Sequence, residues 1–564
     1  MSTERAPLLV PGPAPAYGSQ ASSRSETPSG HRKERRHHNL AGLSAWRFHA
    51  ACASVWSATF LSAFDSTVVA TLLGDISSAF SAFHLASWLG TAYLLSLACF
   101  TPVYGRLADA LGRRDAQLVA LIFFTIGTAA CAAAPSMLTL ILARVVAGIG
   151  GAGLTSVGSI LLSDLVDLRH RGLYQGLANM VFALGASLGG PVGGWAADQF
   201  GWRLAFGAQV PLLFGSILAV WWFVPSDLGG RVRDADDEHH SLTWQQKLAR
   251  IDYAGSAALG VAVTALLLSM SLKTSGSGGV EYNWSDPLIW GLLLVFVAFT
   301  GVFLLIEAKW ATEPVLPLSM FRRATPAAIA VGNLVMAMCI FSLLYNAPLY
   351  FVAVKLRSAT VAGAHLLPYS AFIGAGSLTV GLVMRVTGRY YPAMVVSGLI
   401  VLFSCGMMLS WGEGTPEWLT WVAQLPAGFG YAGVLTTTLV ALMADIAKEG
   451  TGEIAVGTAM TYMARTIGQV LGVSFSSAIL QSTLEDDLSA HISDPDLVRL
   501  IRRSTDAVRT LPPTLRDIAV SAYAHGLKRI WVFNLALAVI TVIALCCATN
   551  EVMPESRPHD DEEA

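Results

Sequence analysis

Two ionisable side chains stand where a charge is costly. Asp65 interrupts the apolar run FLSAFDSTVVATLL, and Arg144 interrupts LARVVAGIGGAG. A charge at the centre of a bilayer costs about 3 kcal/mol, so each needs a partner or a task. At a rise of about 1.5 Å per helical residue, Asp65 lies about 7 Å beyond the midpoint of its run. Arg144 lies about 7 Å before the midpoint of a run travelling the other way. The two opposite charges therefore share a depth. The chemistry open to such a pair is reversible protonation. Low dielectric favours the neutral acid and a guanidinium favours the carboxylate, so moving the acid between the two couples a proton to shape. The plainer alternative is a static pair that only satisfies its own charges.

Other polar groups interrupt later runs. Arg465 sits near the middle of EIAVGTAMTYMARTIGQVLGVS, with Gln469 one turn later on the same face. Asn346, beside Tyr345, falls in LLYNAPLYF, and Asn179 falls in an earlier run. Each suits either a cavity wall or a helix-to-helix tie. Asp65 is the only acid well inside a run, because Asp445 and Glu453 lie at run ends. That shortage argues against a cationic cargo. No G-x-x-x-x-G-K-[ST] phosphate loop occurs, so neither ATP nor any cofactor or metal enters the reading, and an enzyme is not expected.

The elements that hold these groups follow from composition. Of 564 residues, 54% are hydrophobic and only 13% charged, and mean hydropathy is +0.56. A soluble surface of this size needs more charge, whereas runs of about twenty apolar residues match a bilayer core about 30 Å thick. Fourteen spans are predicted, at 48–72, 86–105, 115–134, 137–162, 173–197, 203–224, 253–272, 287–306, 327–352, 359–384, 392–411, 418–444, 455–480 and 526–548. A cytosolic N-terminus puts 23 of the 36 Lys and Arg residues on the cytosolic side. The opposite face is poor in them except for 481–525, where five arginines are outnumbered by seven acids. The positive-inside rule therefore places both ends in the cytosol. All seven cysteines fall in apolar runs and imply no disulfide framework. The net charge of −2 gives no reason to expect nucleic acid.

Two loops repeat. GRLADALGRR after the second span carries Gly105, Asp109, Gly112, Arg113 and Arg114; GLVMRVTGRY after the tenth carries Gly381, Arg385, Gly388 and Arg389 at the same spacing. This predicts two six-helix halves with spans seven and eight inserted between them, and a solute site between the halves near the bilayer midplane. In the first loop Asp109 is expected to accept bonds from Arg113 or from a helix N-terminus across the seam, latching the cytosolic side. In FALGASLGGPVGGW, Gly185, Gly189, Gly190, Gly193 and Gly194 thin one helix face around Pro191, as a helix pressed against neighbours at a moving seam requires.

These motifs, in this order, resemble those of the major facilitator superfamily, in particular its fourteen-span drug:proton antiporters. The run with Asp65 is similar to the branch's acidic signature, GRLADALGRR to the superfamily loop signature, LARVVAGIGGAG with Arg144 to the proton-coupling signature, and LGASLGGPVGG to the antiporter signature. LLYNAPLYF and residues 453–474 resemble the fungal vacuolar basic amino acid transporters. The resemblance implies an all-α membrane fold and proton-coupled movement of basic amino acids across the vacuolar membrane. The alternative is plasma-membrane export of drugs or a secondary metabolite. Two departures stand out: Arg385 replaces the acid of the first loop, and Gln209 replaces an expected asparagine.

The layout is then a disordered cytosolic tail (1–47), an N-terminal bundle (48–224), a cytosolic loop (225–252) and the inserted pair (253–306). A C-terminal bundle (307–548), containing a non-cytosolic loop at 481–525, precedes an acidic tail (549–564). In the first tail Glu4, Leu8 and Leu9 form an acidic dileucine pattern suited to a sorting adaptor. The basic cluster at 31–38 suits anionic lipid, Ser241 to Ile251 an amphipathic surface helix, and Asn283 is the single glycosylation sequon.

Overall fold

The computed structural model describes residues 42–80, 82, 85–226, 252–275, 282, 285–310, 318–357, 359–449, 454–503, 508–509 and 511–550. The sorting pattern at Glu4, Leu8 and Leu9, the surface helix expected from Ser241 to Ile251, and Asn283 lie outside the described residues.

The chain is built of helices. The N-terminal half comprises α1 (Ala45–Ala79), α2 (Ala86–Leu111), α3 (Arg113–Ala133), α4 (Met137–Leu165), α5 (Leu168–Phe200), α6 (Trp202–Gly207) and α7 (Gln209–Phe223). The inserted pair is α8 (Tyr253–Ser275) and α9 (Pro287–Lys309). The C-terminal half comprises α10 (Leu318–Phe321), α11 (Ala324–Ala353), α12 (Ala359–Ala364), α13 (Leu367–Thr387), α14 (Tyr391–Met408) and α15 (Glu417–Val422). It continues with α16 (Leu425–Glu449), α17 (Ile454–His491), α18 (Pro495–Arg503) and α19 (Pro513–Cys546). Among the described residues, 13 segments are long and apolar enough to cross a membrane. With α2, 26 residues long, the total is compatible with fourteen crossings.

Local chemistry sets the corners. Gly112, at φ +95°, turns the chain between α2 and α3 in a conformation that a side chain would oppose. Ser136 and Thr139 form a reciprocal capping box that opens α4. Gly388, left-handed at φ +67°, closes α13 in the equivalent loop of the second half.

Three helix ends differ from the sequence reading. α1 begins at Ala45, inside the stretch assigned to the tail. The segment 481–525, read as a loop, is largely helical: α17 runs on to His491, α18 fills Pro495–Arg503, and α19 starts at Pro513. Hydropathy falls there, but Leu484, Leu488, Val498 and Ile501 remain buried, so an amphipathic helix continues beyond the apolar stretch. Spans six, ten and twelve each consist of a short helix and a long one.

Each half has its own core. Val55, Phe124, Leu154 and Ile160 lie in that of the first, and Tyr350, Trp411, Tyr523 and Trp531 in that of the second. The halves meet at the helix ends that carry the two repeated loops. α5 lies on α13, with Gly172 against Gly381 and Gly176 against the Ser377 carbonyl. A methyl group at Gly176 would sit 2.7 Å from that oxygen, so this approach needs glycine. α2 crosses α17, where Gly105 rests on Ala455 and Ala459. The inserted α8 packs on both α2 and α17: Val263 and Leu267 cluster with Leu95 and Ala98 on one side and Ile467 and Val470 on the other.

Candidate functional site

α1 and α4 bring Asp65 and Arg144 together. Arg144 Nη1 donates to Asp65 Oδ2 at 2.6 Å, with side-chain exposures of 2% and 0%. Helices that cross in opposite directions place equal depths side by side, which is what the residue count anticipates. The guanidinium is held further by its Nε–H to the Leu89 carbonyl, at 3.4 Å, and by the Tyr93 ring, 4.3 Å from its centre. Tyr93 in turn meets Ser62 at 3.4 Å, so α2 braces both members of the pair. Asp65 Oδ1 is buried with no hydrogen-bond partner.

The glycines of α5 set α1 rather than the seam. Gly185 faces the Phe60 carbonyl, Gly189 faces Phe64 and Thr67, and Gly193 faces Val68, all within the N-terminal half. Gly190 and Gly194 approach Thr71, and Pro191 lies inside the continuous helix. The part of α5 that meets the other half is its N-terminal end, at Gly172 and Gly176. Sequence reading missed this stretch because its polar composition, LRHRGLYQGLANM, hides the glycine spacing.

The first repeated loop is an internal clasp. Arg113 donates from Nη1 to Asp109 at 2.6 Å and from Nε to Asp164 at 2.8 Å, joining the α2–α3 corner to the end of α4. Arg114 turns to Asp115 at 3.1 Å. Asp109 therefore finds its partner within its own half; of this motif it is Gly105 that touches the other. Asn179 makes hydrogen bonds across the seam, its Nδ2 donating to Ser377 and to Thr436, each at 3.2 Å. Gln175 and Ser159 extend this chain back to α4. At the same end Ser163 donates to the Met443 sulfur at 3.3 Å.

In the C-terminal half, Arg465 is 6% exposed. Its Nε donates to Asn333 Oδ1 at 2.9 Å, its Nη2 to the Leu435 carbonyl at 3.4 Å, and its guanidinium stacks over Tyr462 at 4.8 Å. Asn333 carries no apolar-periodicity signal, so only the packed structure identifies it. Gln469 stays half-buried one turn away. Asn346 is fully enclosed: Nδ2 donates to the Ser342 carbonyl at 2.7 Å and to Ser476 at 2.9 Å, tying α11 to α17. Tyr345, its neighbour, is 55% exposed.

Comparison with known proteins agrees with this architecture. The family model described as Major Facilitator Superfamily matches residues 55–473. The chain is 36% identical over 504 residues to "Multidrug resistance protein fnx1" of Schizosaccharomyces pombe, covering 88% of this chain and 91% of that protein. It is 33% identical over 475 residues to "Vacuolar membrane amino acid uptake transporter fnx2" of the same yeast, covering 84% and 79%. The solved proton:xylose symporter XylE shares the fold, with a TM-score of 0.55 at 13% identity over 89% of this chain and 95% of that one. The chain belongs to the Major Facilitator Superfamily and is a multi-pass membrane transporter.

Proposed function

We propose that this chain is a proton-coupled antiporter carrying basic amino acids across the vacuolar membrane. The observation that carries the coupling is the Asp65 carboxylate, enclosed, bound to Arg144 through one oxygen and unpartnered at the other. Protonation of Asp65 cancels its charge and weakens its hold on Arg144, freeing α1 to shift against α4. The cytosolic ends are closed in this arrangement, so the proton arrives from the opposite, luminal side. Reopening the cytosolic seam, with Asp109, Arg113 and Arg114 holding its corner, then returns the proton to the cytosol. One proton moving across about 100 mV and one pH unit releases roughly 3.7 kcal/mol, enough for a solute gradient of about five-hundred-fold.

The cargo and the address are supported by the relative named for vacuolar amino acid uptake. Glu4, Leu8 and Leu9 would supply the address through a sorting adaptor. The 36%-identical relative named for multidrug resistance supports the drug-export part of the second reading, whose address would be the plasma membrane. The test is uptake of labelled lysine or arginine into isolated vacuolar vesicles with and without a proton gradient. Gradient-dependent uptake that disappears in Asp65→Asn is expected. Normal accumulation by that variant would refute the coupling. Stable cell-surface staining of the tagged chain, unchanged by replacing Leu8 and Leu9 with alanine, would favour the export reading.

A further inference from the structure

Among the described residues, Arg144 and Arg465 are both buried at membrane depth, and Arg144 has its carboxylate while Arg465 does not. A guanidinium has five N–H donors. Arg465 uses one on an amide oxygen and one on a backbone carbonyl, and among the described residues no acid pairs with it. A cation nine-tenths buried, without an anion, is costly to keep and waits for one.

Its position fits a ligand. Arg465 lies eleven residues into α17, about 16 Å along the axis and so near the bilayer midplane. α17 commits its other faces to packing. Gly468 and Gly472 press on the Leu334 and Met338 carbonyls of α11, Ile467 and Val470 meet α2 and α8, and Phe475 packs on Phe533 of α19. Tyr462 and Gln469 stay half-buried on α17, one turn to either side of Arg465. Tyr462 covers one face of the guanidinium, Asn333 fixes its Nε and the Leu435 carbonyl takes its Nη2, leaving Nη1 as the guanidinium nitrogen without a partner among the described residues. A guanidinium held in this way can offer Nη1 to a carboxylate as a charge-assisted hydrogen bond.

We infer that Arg465, flanked by Tyr462 and Gln469 and held by Asn333, is the anchor for the α-carboxylate of the transported amino acid. This rests on the amino acid reading above. It also relieves the shortage of intramembrane acids, because recognition then falls on the end that all amino acids share, and the basic side chain need not find an acid of its own.

The experiment uses the full chain in proteoliposomes and competes labelled lysine uptake with lysine and with cadaverine, which differs by the missing carboxylate. In the parent, lysine competes at a concentration roughly ten- to a hundredfold lower than cadaverine, the range for a charge-assisted hydrogen bond. In Arg465→Gln the two compete within about twofold of each other, while Arg465→Lys keeps part of the preference. Asn333→Asp gives the same loss without removing the arginine, because the new carboxylate satisfies it from 2.9 Å away. It serves as the test if Arg465→Gln does not fold. A parent that takes up lysine with no preference for it over cadaverine overturns the anchor alone. So does a preference that survives in a folded Arg465→Gln or Asn333→Asp variant. A parent that takes up neither lysine nor arginine overturns the anchor and the amino acid reading together.

Discussion

Gly381→Ala tests whether the cytosolic seam is a contact that opens. A methyl group added there would lie 2.7 Å from the Gly172 carbonyl oxygen, 2.9 Å from its carbon and 3.0 Å from the Leu173 Cα. All three atoms are backbone of the other half, so none can rotate away. Forcing such an overlap costs about 1–3 kcal/mol. The cost falls only on the cytosol-closed arrangement, because separated halves no longer touch. The closed-to-open ratio should therefore drop by about 5- to 150-fold. The assay places a reporter thiol at Ser163, which lies in the seam against Met443, in a chain lacking its seven native cysteines. Labelling by a membrane-impermeant maleimide from the cytosolic side should accelerate by the same factor, up to the ceiling set by full opening. Gly185→Ala is the control. Its methyl would meet the Phe60 carbonyl at 2.4 Å inside one half, so it should lower the melting temperature without exposing the reporter. If folded Gly381→Ala labels at the parent rate, the seam is not a gate.

Other outcomes follow from single contacts. Arg144→Ala strands a fully enclosed carboxylate and should cost about 3–5 kcal/mol of stability, with Asp65→Asn in the same chain restoring most of it. Parent-like thermal unfolding of the single variant would mean that Asp65 carries no charge in this state. Asn179→Leu removes two cross-seam hydrogen bonds and should speed cytosolic labelling of the Ser163→Cys reporter by about 5- to 150-fold, at 0.5–1.5 kcal/mol per bond. Asn346→Leu should lower the melting temperature while leaving lysine affinity unchanged, because its amide nitrogen is spent on Ser342 and Ser476. A changed affinity would move Asn346 into the solute pathway.

What the sequence makes legible depends on the geometry each inference needs. Pairing Asp65 with Arg144 requires only depth, and depth is a residue count along a helix of known rise. The clasp at Arg113 is local enough for its spacing to suggest Asp109, but Asp164, 51 positions away, enters only through the packing of α3 on α4. Asn333 and Asn179 are invisible for a different reason. Their importance lies in which way each helix is rotated, and hydropathy is nearly silent about rotation when both sides of a helix are apolar. The same silence explains why the glycines of α5 suggest a seam when they in fact seat α1. The extension of α17 past residue 480 escapes because its charges, LEDDLSAH, mark the end of the apolar run and not the end of the helix.

The placement of α8 makes the two flanks of the molecule unequal. Along α2 and α17 the junction is roofed by a helix that grips both, through Ala98, Cys99 and Gly260 on one side and Ile467 and Val470 on the other. Any rocking of one bundle against the other must slide beneath that roof, against the side chains of Val263 and Leu267. Along α5 and α13 no described helix covers the junction in this way. Bilayer composition should therefore act on the working cycle from one flank and hardly at all from the other.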